Sequence, residues 1–174
     1  MACLGEPARL LAVTLPPGLQ SVFPKADNAI KTSERTFSYN CHAWGADDTN
    51  AWWEPVPALS APFPPWVKVY WPPGLRHFDL SLANFVAAFE TRGFERCADG
   101  TLEDGAEKIA FYGKEASVTH TARQLPSGSW TSKLGYDIDI LHASTEELED
   151  GYGRVVAYMR RPRQASNVKE VRMP

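Results

Sequence analysis

Leu82, Phe85, Val86 and Phe89 fall at i, i+3, i+4 and i+7, the spacing that lines four apolar side chains along one helical face. The pattern predicts a scaffold helix over Leu80–Arg92, with Asp79 or Ser81 as its cap and Gly93 as its stop. Beyond Gly93 the period changes from helical to strand-like. Lys108 to Gly113 predicts a strand ending in a turn, and Ser117 to Leu125 alternates, with Val118, His120, Ala122 and Gln124 on one face and Thr119, Thr121 and Arg123 on the other. Pro126-Ser127-Gly128-Ser129 then reads as a hairpin turn, Trp130 to Leu134 as the returning strand, and Gly153 to Arg160 as a last strand. Glu146, Glu147, Glu149 and Asp150 mark an acidic, solvent-facing helix between them.

The first half is punctuated differently. Pro16-Pro17-Gly18 and Pro24 predict an irregular arm over residues 1–36. Cys41 to Ala46 suits one or two helical turns, capped by Asn40 or a neighbour and kept short by Gly45 and Asp47-Asp48. Residues 51–73 are dense in tryptophan and proline, which excludes a long helix or a central strand. That stretch reads either as an ordered loop that plugs the core with aromatics or as the wall of a groove for an extended ligand. Helices early and an antiparallel sheet late predict an α+β fold: an arm over 1–36, one domain over 37–160 and a tail over 161–174.

A chain of 174 residues is long enough to bury one core. A net charge of −3 carries no basic face, so a nucleic-acid partner is not expected; Arg160, Arg161 and Arg163, with Lys169 and Arg172, read as a solvated tail. Three cysteines, Cys3, Cys41 and Cys97, cannot all pair within one chain, and none sits at zinc-ligand spacing, so free thiols with no metal and no cofactor are expected. Leu10 to Val13 is too short for a signal core or a membrane span, which predicts a cytoplasmic protein without a membrane partner; export by a leaderless route stays open. No phosphate loop, GxSxG elbow or HExxH pair occurs.

The candidate chemistry lies in Cys41, where a helix begins, and His120, on a strand. Thiol catalysis needs a deprotonated cysteine, a histidine within reach and donors for an oxyanion. Tyr39-Asn40-Cys41-His42-Ala43-Trp44 resembles the nucleophile segment of papain-like and NlpC-type thiol peptidases. Thr119 to Gln124, followed by Gly128 to Gly135, is similar to their histidine strand, turn and following strand. The blocks YNC-A-W, WW-P, YWP and H-ARQLP-G-WTSKLG also resemble an uncharacterised family of bacterial proteins over most of residues 37–160, which brings no activity with it.

The first resemblance implies a papain-like fold, with the nucleophile helix packed on a small antiparallel sheet. It implies a hydrolase or acyltransferase acting on an amide, peptide or isopeptide bond of a peptide or protein substrate, with Cys41 as nucleophile and His120 as base, their atoms roughly 3–4.5 Å apart. Its third member would lie about one hairpin after the histidine. Asp137 is the best acceptor there, with Gln124, Ser132 and His142 as alternatives, serine being a weak orienter. The stretch Ser33 to Asn40 before Cys41 holds no glutamine, so Asn40 or Tyr39 would supply the side-chain oxyanion donor, and Trp44, Trp130 and Lys133 would line the site. A second reading is a binding module of the same fold, without turnover, that reads an extended partner along the Trp/Pro segment. His42 is expected in packing, His77 in a surface loop, and Cys3 and Cys97 as structural thiols.

Overall fold

The computed structural model describes residues 15–57 and 63–164. Cys3, the Leu10–Val13 run, Pro62, Lys169 and Arg172 lie outside them. Helix α3 (Leu82–Glu90) forms where the apolar spacing places it, with the Ser81 side chain accepting from Asn84 N–H. Strands β5 (Ala106–Lys114), β6 (Ser117–Gln124), β7 (Trp130–Lys133) and β9 (Arg154–Pro162) also fall where the alternation predicts them. Three further strands carry no legible period because they are so short: β1 (Ile30–Lys31), β4 (Glu95–Cys97) and β8 (Asp139–His142).

These seven strands make one antiparallel sheet in the order β1-β8-β7-β6-β5-β9-β4. A large sheet with few short helices replaces the papain-like arrangement of a nucleophile helix on a small sheet. The first half is not helix-rich: it holds α1 (Pro17–Val22), α2 (Cys41–Gly45) and α3. Helix α1 and strand β1 fall inside the stretch expected to be irregular. The acidic stretch forms a 3₁₀ turn over Thr145–Leu148 that runs into α4 (Glu149–Tyr152). The Trp/Pro segment contributes β2 (Trp52–Trp53) and β3 (Val69–Tyr70), a separate parallel pair. Among the described residues no helix is long and apolar enough to cross a membrane.

Two cores lie on the two faces of the sheet, as the alternation along β5 shows. Ile109 and Phe111 join α2, α3, Trp53 and Trp71 in the first core, while Ala110 and Tyr112 join Phe23, Ala122, Trp130, Ile140 and Leu148 in the second. Edge-on ring contacts tie the first core together, Phe89 meeting Phe111 at 4.9 Å. Between Tyr112 and Gly113 the β5–β6 register slips, since Tyr112 faces His120 and Gly113 faces Val118, leaving Thr119 as an extra residue. This bulge breaks the expected alternation: Val118 enters the first core and Ala122 the second. His120 therefore does not share the surroundings of Val118.

Candidate active site

Helix α2 lies against β6 because Gly45 permits it. A Cβ on Gly45 would stand 2.5 Å from Thr121 Cγ2, so any side chain would push the helix away. Asn40 starts the helix: its Oδ1 accepts from Ala43 N–H (3.0 Å) and Trp53 N–H (3.1 Å), and its Nδ2 donates to Trp53 C=O (3.0 Å) and Glu54 (3.2 Å). Both amide hydrogens are thus committed, and Asn40 holds structure together rather than offering a free oxyanion donor. His42 bonds Thr121 Oγ1 at 2.8 Å and leans on Phe85, which fits its expected place in packing.

The sheet is split where α2 meets it. Strand β6 pairs with β7 only through Arg123↔Thr131 and Gln124↔Trp130. Closer to His120 the strands part, and the Thr121 backbone favours the ionised form of the Cys41 thiol. The backbone at Cys41 and His42 acts in the same sense. Burial nevertheless dominates. Cys41 is only 7% exposed, and loss of solvent, aided by the nearby Glu54 carboxyl, pushes its thiol up to about 12. The resting group is a thiol, not a thiolate.

A chain of polar side chains crosses the gap on the face of the second core. Trp130 faces His142 across β7–β8, and Ser132, two residues from Trp130, shares its face. His120 Nε2 lies 3.0 Å from Ser132 Oγ, which lies 3.0 Å from His142 Nε2, and His142 Nδ1 lies 2.8 Å from Ser144 C=O. A carbonyl only accepts, so His142 carries its proton on Nδ1. Burial brings His142 down to about 4, so its Nε2 is a bare acceptor for the Ser132 hydroxyl. The Ser132 oxygen in turn accepts from His120 Nε2–H. Burial also holds His120 well below its ordinary value. Its Nδ1 is consequently an unprotonated lone pair, buried and without a hydrogen-bond partner.

The ring of Tyr152 lies flat on His120, 4.0 Å away and 3° from parallel. Phe23 backs Tyr152 at 5.1 Å, an approach that needs Gly151, where a Cβ would fall 2.1 Å from the Phe23 ring.

The structure thus brings Cys41, His120, Ser132 and His142 to one split in the sheet. Thr121, beside His120, packs on α2, and no hydrogen bond joins the Cys41 sulfur to His120 Nδ1. Asp137 does not orient His120: it sits in the β7–β8 turn, bound to Arg35 (2.9 Å) and to Ile138 N–H (3.0 Å). Gln124 donates instead to Gly100 C=O at 2.7 Å. Trp130 is buried in the second core, and Trp44 stacks on Tyr39 at 5.7 Å. Tyr39 donates to Asp139 at 2.6 Å. Lys133 is fully buried rather than solvated, bonded to Asp137 C=O, with its ammonium 5.4 Å over the Tyr39 ring and its basicity lowered by burial. His77 is exposed. Among the described residues no cluster of His, Cys, Asp or Glu could hold a metal ion. Tyr152 and Glu54 went unseen in the sequence; a four-residue helix and a lone glutamate among prolines carry no signal.

Three buried, neutral histidines make the fold acid-labile. His42 sits at about 3 and His142 at about 4, against 6.5 for an ordinary histidine, so the unfolded chain binds protons that the folded chain refuses. Their stabilisation is complete above about pH 6.5 and is lost as pH falls towards 4. Glu54 and Asp139, raised by burial, act in the opposite sense. Three histidines act against two carboxyls, so the urea midpoint is expected to drop steadily between roughly pH 7 and pH 5. A midpoint constant over that interval would show the histidines to be hydrated.

Residues 30–160 match the family described as a domain of unknown function, DUF7689. The chain belongs to that family. No curated protein matches it, and neither does any solved structure.

Proposed function

We propose that the protein is a thiol-dependent hydrolase or acyltransferase acting on an amide or ester carbonyl. The observation that carries this reading is the His120 Nδ1 lone pair: its tautomer is fixed by the Ser132–His142 chain, and the strand that carries it packs at Thr121 against α2, which begins at Cys41. Cys41 Sγ–H gives its proton to Nδ1 as the sulfur attacks the carbonyl carbon. The resulting imidazolium is supported through Nε2–H to Ser132 and by the face of Tyr152. Backbone amides at Cys41, His42 and Thr121 are the donors at hand for negative charge. His120 then protonates the leaving group as the carbon–heteroatom bond breaks. Water or an amine resolves the thioester and restores the thiol.

A small activated ester tests this without knowledge of the natural substrate. Incubation with p-nitrophenyl acetate is expected to add one acetyl group to Cys41, seen by peptide mass spectrometry, with a burst of nitrophenol equal to the enzyme concentration. Cys41→Ala abolishes the burst. Acetylation confined to Cys97 would overturn the proposal and leave a binding module.

A further inference from the structure

Four aromatic side chains are exposed among the described residues: Phe37, Trp66, Phe78 and Tyr136. Three of them gather at one place. Phe37 and Trp66 line a cleft of about 510 Å³, and Tyr136 stacks on Phe37 at 5.2 Å and 3°. Trp66 is 78% exposed, an extent that packing does not explain for so large an apolar surface. The charged side chains lining the cleft are Arg35 and Lys68; no carboxylate lines it. Arg35 shares Asp137 from the rim, while Lys68 has no carboxylate partner among the described residues.

The cleft is continuous along the chain with the centre described above. One wall, residues 35–38, runs directly into Tyr39, Asn40 and Cys41, and the other begins just after α2 at Thr49 and Asn50. Phe37 C=O accepts from the Trp52 indole, and Asn40 bonds the Trp53 backbone, so hydrogen bonds to one Trp-Trp pair link the cleft wall and the start of α2.

We propose that this cleft binds an acidic peptide segment carrying an aromatic or large apolar residue, and so presents such a substrate to Cys41. Indole and phenyl faces take up the apolar side chain, and Lys68 pairs with a carboxylate beside it. That cation, with no carboxylate partner among the described residues, disfavours a basic segment by repulsion. The assignment of the ligand as substrate rests on the proposed thiol chemistry; binding itself does not.

The test therefore uses full-length Cys41→Ala protein and fluorescein-labelled peptides of alternating glutamate and phenylalanine, with a glutamine-for-glutamate control, read by fluorescence anisotropy. The glutamate peptide is expected to bind, and the glutamine peptide to bind at least about tenfold more weakly. Trp66→Ala and Lys68→Glu, both at exposed positions that leave the fold intact, are each expected to weaken binding by about tenfold or more. Equal binding of both peptides, or binding untouched by either substitution, would overturn the proposal. In the wild-type protein, saturating peptide is expected to slow acetylation of Cys41. Undiminished acetylation would detach the cleft from the thiol centre. Absence of acetylation altogether, with peptide binding intact, would count against the thiol chemistry and not against the cleft.

Discussion

Replacing His120 by alanine is expected to lower the acetylation rate of Cys41 by about 10²–10⁴-fold, the range typical of a lost general base. Burial holds the Cys41 thiol near 12, so almost no thiolate exists at neutral pH, and reaction depends on a base that removes the proton as the sulfur attacks. His120 stays neutral because burial holds it well below the ordinary histidine value. The wild-type rate should accordingly be flat between about pH 6 and 9. In His120→Ala only free thiolate reacts, and the rate should climb about tenfold per pH unit over the same interval. Ser132→Ala is expected to fall between the two. It leaves His120 Nε2–H and His142 Nε2 without partners and no longer fixes which nitrogen of His120 is bare. A His120→Ala rate within twofold of wild type would sink the proposed mechanism.

The largest loss of stability is expected at Glu107, which takes no part in the proposed chemistry. This buried carboxylate on β5 accepts from Arg161 Nη2 at 3.2 Å and pairs by charge with Arg123, whose Nε lies 2.9 Å away, both guanidinium groups being buried themselves. Those side chains come from strands on either side of β5, so one acid ties three neighbouring strands. Glu107→Ala leaves the buried Arg161 without a carboxylate and Arg123 with one fewer, and should cost about 3–5 kcal/mol in urea denaturation. Arg123 keeps Asp47 at 2.7 Å, so the cost will fall mainly through Arg161. A change below about 1 kcal/mol would mean that water reaches both guanidinium groups.

Much of the sheet was legible where a strand is long enough to alternate or is closed by a turn, as in β5, β6, β7 and β9. Strands of two to four residues such as β1, β4 and β8 present too few positions for a period, and their pairing is decided by partners far away in the chain. The papain-like expectation failed for a related reason. Short segments around Cys41 and His120 suggest local geometry, but they do not say that the last strand, β9, inserts between β5 and β4 to widen the sheet.

Candidate residues fared according to how local their roles are. Asn40 as a helix cap can be read from neighbours alone. The partner of His120 cannot: Asp137 is the stronger acceptor by chemistry, yet its turn position delivers it to Arg35, while the β7–β8 register sets Ser132 and His142 on the face of His120. The one-residue bulge at Thr119 was invisible because nothing in Ser117–Gln124 marks it, and it alone decides which core each side chain of β6 enters.

The placement of Tyr152 bears on when the centre comes into being during synthesis. Cys41 leaves the ribosome early, but the base that would activate it needs Ser132 and His142 to select its tautomer and Tyr152 to lie against its ring. Strand β9, which completes the sheet beside β5, follows later still. A nascent or prematurely terminated chain ending before residue 152 thus carries the cysteine as an ordinary thiol beside an unstacked histidine, so the proposed chemistry would wait until nearly the whole domain has folded.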